Sequence, residues 1–519
     1  MKTPCCFSNF VVLASMLGGL SSAAEDKGAT DPLTVHSAMV QPMEKVSAPT
    51  DGPAYAPHAK GTLTFTKDIA PVVFNNCSAC HRPGEVAPFS LLNFMDVKKH
   101  AKQIADITST RVMPPWKAEP GHGEFMDMRR LTNEQIGMIG QWVDEGCAEG
   151  KPEDLPALPK FTDGWTLGEP DLILKVPEAY TLKADGRDEL RCFVIPIPIA
   201  ENKFVRAIEF RPGNRKVVHH AILYLDGSGA ARKKDEADPK PGYASLAGPG
   251  IIPSGSLGGW APGSFPHFLP DGIARNLKKG NDLVLQIHYH PDGKEEVDQS
   301  SVGLYFSKDT NNRVLMGLPM FNRKIDIPAG EKNYVIKDSI TVPVDVEAIG
   351  IVPHAHYLAK DMRVDATLPD GKKIPLLWIS DWDFNWQDQY LYKNKIKLPK
   401  DTKIDLTYVY DNSADNIHNP SSPPKRVHFG EQTTDEMALL VIQVVPERKE
   451  DALILLASLG RRFLSGFAGN PGAVPDGQDN KQSLMQAIIK RFDTNGDGKL
   501  DDDERAKAWE EIRKWRGKE

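Results

Sequence analysis

LVLQIHYH (283–290) reads as a β-strand that carries a pair of metal ligands. Its aliphatic and β-branched residues suit a half-buried pleated surface. Residues i and i+2 of a strand share a face, so His288 and His290 can meet one ion. Two stretches of the same character lie on either side of it, KVVHHAILYL (216–225) and IVPHAHYL (351–358). His354 and His356 repeat the one-residue spacing. His219 and His220 are adjacent and would point to opposite faces of a regular strand, so for both to bind one ion the backbone must bulge or twist there. Six of the fourteen histidines thus fall in three clusters within one domain-sized region. A lone histidine in such a place is ordinarily a satisfied core or turn residue; three clusters together point to metal. Imidazole suits Zn, Cu, Fe or Ni alike, and only a thioether in the set would favour copper, because soft sulfur stabilises Cu(I).

Outward from these strands, residues 165–447 keep the same pattern of short Val/Ile/Leu/Tyr runs (DLILKV, CFVIPI, FVRAIEF, SVGLYF, KIDLTYVY) broken by Gly, Pro, Asn and Asp. Forty-two glycines and forty-one prolines fit a loop-rich β protein. Residues 64–150 instead show helical apolar spacing in FSLLNFMDVKKHAKQIADI and TNEQIGMIGQWVDEG, with Thr132 as N-cap. PEDLPALP (152–159) is a Pro-punctuated linker, and DALILLASLGRRFL after Pro446 is helical. The net charge of −7 and the lack of a basic stripe argue against nucleic acid.

CSACH (77–81) places two thiols two residues apart with a histidine next to the second. That spacing lets Cys77 and Cys80 meet the two vinyl groups of a c-type haem while His81 binds iron from one side. The opposite ligand is expected on a downstream loop: Met113 in RVMPPW, with Met126, Met128 and His122 as rivals. Lys2, the apolar run Phe10–Leu20 and Ser21-Ser22-Ala23-Ala24 read as a secretory signal peptide, with an uncleaved N-terminal anchor as the alternative. No later segment approaches the ~20 apolar residues of a membrane span, so a secreted or periplasmic protein without a span in the mature chain is expected. Of six cysteines, Cys5 and Cys6 leave with the signal, and Cys147 and Cys192 remain to pair in an oxidising compartment or to stand as two buried thiols.

The haem stretch resembles the cytochrome c family over some 85 residues. Residues 165–447 resemble the copper type II, ascorbate-dependent monooxygenases, the family of peptidylglycine α-hydroxylating and dopamine β-monooxygenases. The resemblance is carried by VVHHAILYL, LVLQIHYH, IVPHAHYLAKDMRV and HFGEQTTDEMALLVI. It implies two jelly-roll-like β-sandwiches facing each other across a cleft, each holding one copper. By position, His219, His220 and His288 match the three imidazoles of the electron-storing copper, and His354, His356 and Met437 match the oxygen-binding copper. Two departures stand out. His290 has no counterpart, and where the peptide-hydroxylating member holds its substrate carboxylate with arginine and tyrosine, this chain has Val352 and Val441. An apolar wall there argues against a carboxylate-terminated peptide substrate. His428 is a possible pocket residue; His418 and His267 read as loop histidines.

Near the C-terminus, DTNGDGKLDDDE (493–504) fits a twelve-residue calcium loop: Asp493, Asn495, Asp497, Asp501 and Glu504 supply side-chain oxygens, Lys499 its carbonyl, and Gly498 the sharp turn. The expected fold class is therefore multidomain: a small all-α cytochrome c domain, two jelly-roll-like antiparallel β-sandwich domains and a C-terminal EF-hand. The expected boundaries are 1–24 (signal peptide), 25–60 (linker), 61–152 (haem), 165–312 and 313–448 (copper sandwiches), 449–480 (helix and linker) and 481–519 (EF-hand). The expected activity is hydroxylation of an aliphatic C–H bond of an unknown small organic substrate with O2. Two copper ions, covalent haem c and calcium are the expected cofactors, and ascorbate or a redox protein the external electron donor. A non-catalytic copper-binding electron carrier is the alternative. A zinc hydrolase would need an acidic base, and no His-Glu-x-x-His helix is present.

Overall fold

The computed structural model describes residues 52–467 apart from 86, 162, 163, 246, 247, 263 and 431. The signal peptide, most of the linker and the calcium loop 493–504 lie outside the described residues. One contact-defined unit runs to Gly460 and a second begins at Arg461. Within the first, four principal sheets of four or five strands form two pairs.

The first pair comprises two five-stranded sheets. In one, Glu189–Pro196, Asp282–Tyr289, Val218–Asp226 and Gly255–Trp260 run antiparallel in that spatial order, with Tyr243–Ala244 at the edge. The other is built on Leu172–Lys175, Ser301–Phe306, Lys203–Arg211 and Ile273–Leu277. Both supply one core in which Val205, Leu223, Leu285, Ile287 and Leu304 are fully buried. Each such aliphatic side chain contributes roughly 1.5–3 kcal/mol. In the second pair, Met316–Phe321, Leu439–Pro446, Val346–His354 and Tyr390–Leu398 make one four-stranded sheet. Tyr334–Thr341, Lys403–Tyr410, Ala359–Thr367 and Lys373–Ile379 make the other, over a core that includes Met320, Ile351, Leu406 and Ile442. Leu455 and Leu459, early in the helix Asp451–Phe467, join that core.

The expected fold class is corrected here. Among the described residues strands hold 34% and helices 15%, so this part of the protein is predominantly β, and no small all-α cytochrome c domain is evident in it. Only six α-helices occur among the described residues. Four of them lie between Ala70 and Asp144. Local signals do make these helices: Asn93 caps Phe94–Lys99, and Thr132 forms a capping box with Gln135. The stretch is not a self-contained helical unit because its loop between Ser109 and Asn133 is built into the second sheet pair. Ala118 and Phe125 bridge Ile379 and Tyr392, and Met126 N–H donates to the Leu391 carbonyl at 2.8 Å. Arg129 pairs with Asp388 at 2.5 Å and Lys117 with Asp381 at 3.0 Å.

Of the two readings of Cys147 and Cys192, the structure has the second. Both thiols are free and buried in separate clusters, Cys147 beside Trp142 and Cys192 beside Tyr243. No helix among the described residues is long and apolar enough to cross a membrane.

Candidate metal centre

His220 lies directly opposite His288 in the ladder of Val218–Asp226 with Asp282–Tyr289. The register shifts between Val218 and His220, which is the bulge that two adjacent histidines need to face one point. The Nδ1 atoms of His219 and His220 stand 3.1 Å apart, and one ring nitrogen from each of His219, His220 and His288 lies within 4.8 Å of the others. Two nitrogens at about 2.0 Å from a tetrahedral ion would be separated by roughly 3.3 Å, so the spacing fits a shared cation. His219 Nε2 and His288 Nδ1 are buried without a hydrogen-bond partner. Buried ring nitrogens are ordinarily satisfied, and in His288, whose Nε2 is held by Asp188, the unsatisfied Nδ1 is the nitrogen left to donate to a metal.

Asp188 fixes the third imidazole. Its Oδ2 takes His288 Nε2 at 2.9 Å and its Oδ1 takes the exposed His290 Nδ1 at 2.8 Å. Burial pushes the Asp188 carboxyl up, but its hydrogen bonds and charge contacts with both histidines outweigh this and hold it at about 2. His290 thus shares a carboxylate with His288, which places it behind the three-imidazole set.

The second set stands where Val346–His354 ends. The rings of His354 and His356 are 5.3 Å apart and nearly perpendicular. His354 Nδ1 meets Gln387 Oε1 at 2.5 Å, and the Gln387 amide is itself held by the Phe384 carbonyl at 2.9 Å. His356 Nδ1 meets the Asp435 carbonyl at 3.1 Å. Both rings therefore have Nδ1 tied off, which leaves Nε2 as the ligand atom. The fully buried carboxylate of Glu436 takes the backbone N–H groups of His356, Leu358 and Met437 at 2.5, 3.0 and 2.7 Å. It welds the His-x-His turn to half-buried Met437, whose carbonyl accepts the Tyr410 hydroxyl at 2.7 Å. Burial pushes the Glu436 carboxyl up to about 8 against the pull of those N–H donors.

The two sets adjoin. The His220 and His354 rings are 6.3 Å apart. Phe384 stacks on His219 at 4.6 Å and meets His356 edge-on at 5.8 Å. Burial, together with the neighbouring imidazoles, pulls His219 and His356 down to about 3. Burial pulls His354 down to about 4 and lowers His220 as well. All four rings are thus neutral at physiological pH, the state that binds metal. Imidazole nitrogens in both groups suit Zn, Cu, Fe or Ni alike, and Glu436 ties the backbone of Met437 to that of His356. Val352 and Val441 face each other in the ladder two residues before His354.

At the haem motif, Cys77 and Cys80 flank a tight turn in which His81 N–H donates to the Cys77 carbonyl at 2.9 Å. His81 Nδ1 meets the Phe89 carbonyl at 3.1 Å. Burial pushes the Cys77 thiol up to about 12. Met113 is half-buried before a cis Pro114. Met126 and Met128 are exposed, and His122 packs edge-on against Trp378 in the second sheet pair. His428 is exposed and paired with Asp326. Asp493, Asn495, Asp497, Lys499, Asp501 and Glu504 lie outside the described residues.

No sequence-family model and no curated protein matches this chain. Among solved structures it is similar to PNGF-II at 11% identity and a TM-score of 0.24, over 53% of this chain and 65% of that one. It is similar to the STIV MCP at 11% identity and a TM-score of 0.24, over 53% of this chain and 98% of that one. The chain thus spans less than two thirds of the first of these, and similarity at this level carries no argument about fold or chemistry.

Proposed function

We propose that this chain is an extracytoplasmic copper monooxygenase that hydroxylates an aliphatic C–H bond of a small organic substrate with O2. His219, His220 and His288 would hold one copper, and His354, His356 and Met437 the other. Cys77, Cys80 and His81 would carry haem c, and the 493–504 loop calcium. The observation that carries the reading is the convergence of five imidazoles, with His219 Nε2 and His288 Nδ1 buried and unsatisfied. Bound copper supplies one-electron redox exchange and O2 activation, and bound haem c a one-electron store fed by ascorbate or a redox protein.

The residues have distinct tasks. Asp188, Gln387 and the Asp435 carbonyl orient the imidazoles, and Glu436 fixes the spacing between His356 and Met437. Val352 and Val441, opposite one another in the ladder, would offer a hydrocarbon substrate an apolar surface and no carboxylate partner. Cys77 and Cys80 would hold the haem through thioether bonds, each S–H adding across a vinyl C=C so that no oxidant is needed.

The test is to reduce the holoprotein and mix it with oxygenated buffer, with and without copper. Haem reoxidation that requires copper and quickens with an aliphatic substrate supports the reading; reoxidation indifferent to copper contradicts it. The second reading, a non-catalytic copper-binding electron carrier, is favoured by Phe384, which packs against both histidine sets. It predicts copper-dependent haem oxidation with no substrate acceleration.

A further inference from the structure

A cavity of about 280 Å³ is walled mainly by the first sheet pair, with Gln389 and Leu391 contributed by the second. None of the histidines of the metal centre lines it, nor does Met437, so it is a separate site. Its volume lies just below the ~300–1,000 Å³ of small-molecule pockets and suits a ligand of about one ring. Trp260, Phe265 and Leu391 give it apolar surface.

The charge in this wall is uneven. Arg82, Arg211, Arg215 and Arg275 face two carboxylates, Glu85 and Glu209. Three of the arginines are already matched: Glu85 takes Arg82 at 2.9 Å and Arg215 at 2.8 Å, and Glu209 takes Arg211 at 3.0 Å. Glu209 also accepts the backbone N–H groups of Thr166 and Leu167. Arg275, on the strand Ile273–Leu277, differs. It is 8% exposed, and it has no ion pair and no hydrogen bond among the described residues. Its guanidinium lies beside Gly258, where a Cβ would stand 3.6 Å from Nη2, in the same wall as Trp260. Burial pulls the group down to about 10, so it is charged at physiological pH. A buried charge costs heavily unless it is paired, so this cation calls for an anion from the cavity. One uncommitted guanidinium balances one negative charge, and its planar fork matches a carboxylate through two parallel N–H donors.

We propose that this cavity binds a small, flat monocarboxylate of the aromatic-acid class, with its carboxylate on Arg275 and its apolar body against Trp260 and Phe265. Inorganic phosphate would carry more negative charge than one guanidinium balances and would leave the aromatic wall unused. Recognition at this site involves neither the metals nor the haem.

The test titrates the full, metal-loaded chain by calorimetry with benzoate, with uncharged benzamide of similar shape, and with inorganic phosphate. Benzoate should bind once per chain and on the order of tenfold or more tighter than either of the others, as expected of hydrogen bonds to a charged group. Arg275→Gln should lose that advantage, while Arg275→Lys, which keeps the charge, should keep part of it. Benzoate should also raise the melting temperature of the wild type and leave that of Arg275→Gln unmoved. Benzamide bound as tightly as benzoate by the wild type overturns the role of the guanidinium, with no variant needed. No binding of benzoate, or an unchanged affinity in Arg275→Gln, overturns the site. Phosphate bound as tightly as benzoate overturns the monocarboxylate class.

Discussion

Asp188 and Glu436 are single carboxylates that brace the two histidine sets. Asp188 carries no local signal in the sequence; it becomes legible only when His288 and His290 are seen to share its two oxygens. Asp188→Asn keeps the shape but weakens the anchor on His288, and copper affinity of the first set should fall on the order of 10–100-fold. Competition titration against a chelator reads this directly, and unchanged affinity would remove Asp188 from the site. Glu436 lies 80 residues from His356, whose backbone it holds. Glu436→Leu orphans three buried N–H donors, and at about 1–3 kcal/mol for each, the fold should lose several kcal/mol. Urea unfolding checks this, and a loss below about 1 kcal/mol contradicts the bracing role.

At the scale of elements, the strands were the readable part. Aliphatic and β-branched residues in 283–290 marked a strand, and the adjacency of His219 and His220 called for the register shift now seen after Val218. The loop 380–389 was not readable as part of the site. Its Phe384 and Gln387 act on histidines brought near only by folding, and the aromatic run WDFNW (382–386) was the one available hint. The all-α expectation failed for the same reason. Helical spacing in 94–109 and 133–144 is local, whereas the partner of Arg129 is Asp388, 259 residues away. Both side chains of that pair are 14% exposed. Arg129→Ala would leave Asp388 buried and unpaired, at a cost of about 3–5 kcal/mol. Urea unfolding should show it, and a variant as stable as the wild type would mean that the loop is not tied down through this pair.

The whole molecule brings together two sheet pairs, five imidazoles and a haem motif, and its pH response follows from the buried rings. His219, His220, His354 and His356 are depressed in the fold, so the unfolded chain binds their protons first. Their contribution to stability is present above about 6.5 and is lost as pH falls toward 3–4. Glu436 works in the opposite sense, its contribution being lost as pH rises through about 8. The melting temperature of the copper-free chain should therefore fall steadily from pH 6.5 to 4.5. A melting temperature that holds level or rises over that range contradicts the buried, neutral state of the rings. The most direct measurement is elemental analysis of the copper-loaded, dialysed chain beside Met437→Ala. The expected result is about two coppers per chain, with one of them loosened in the variant. Zinc retained in place of copper, or a variant that holds its metal as tightly as the wild type, would contradict a copper monooxygenase built on these histidines and Met437.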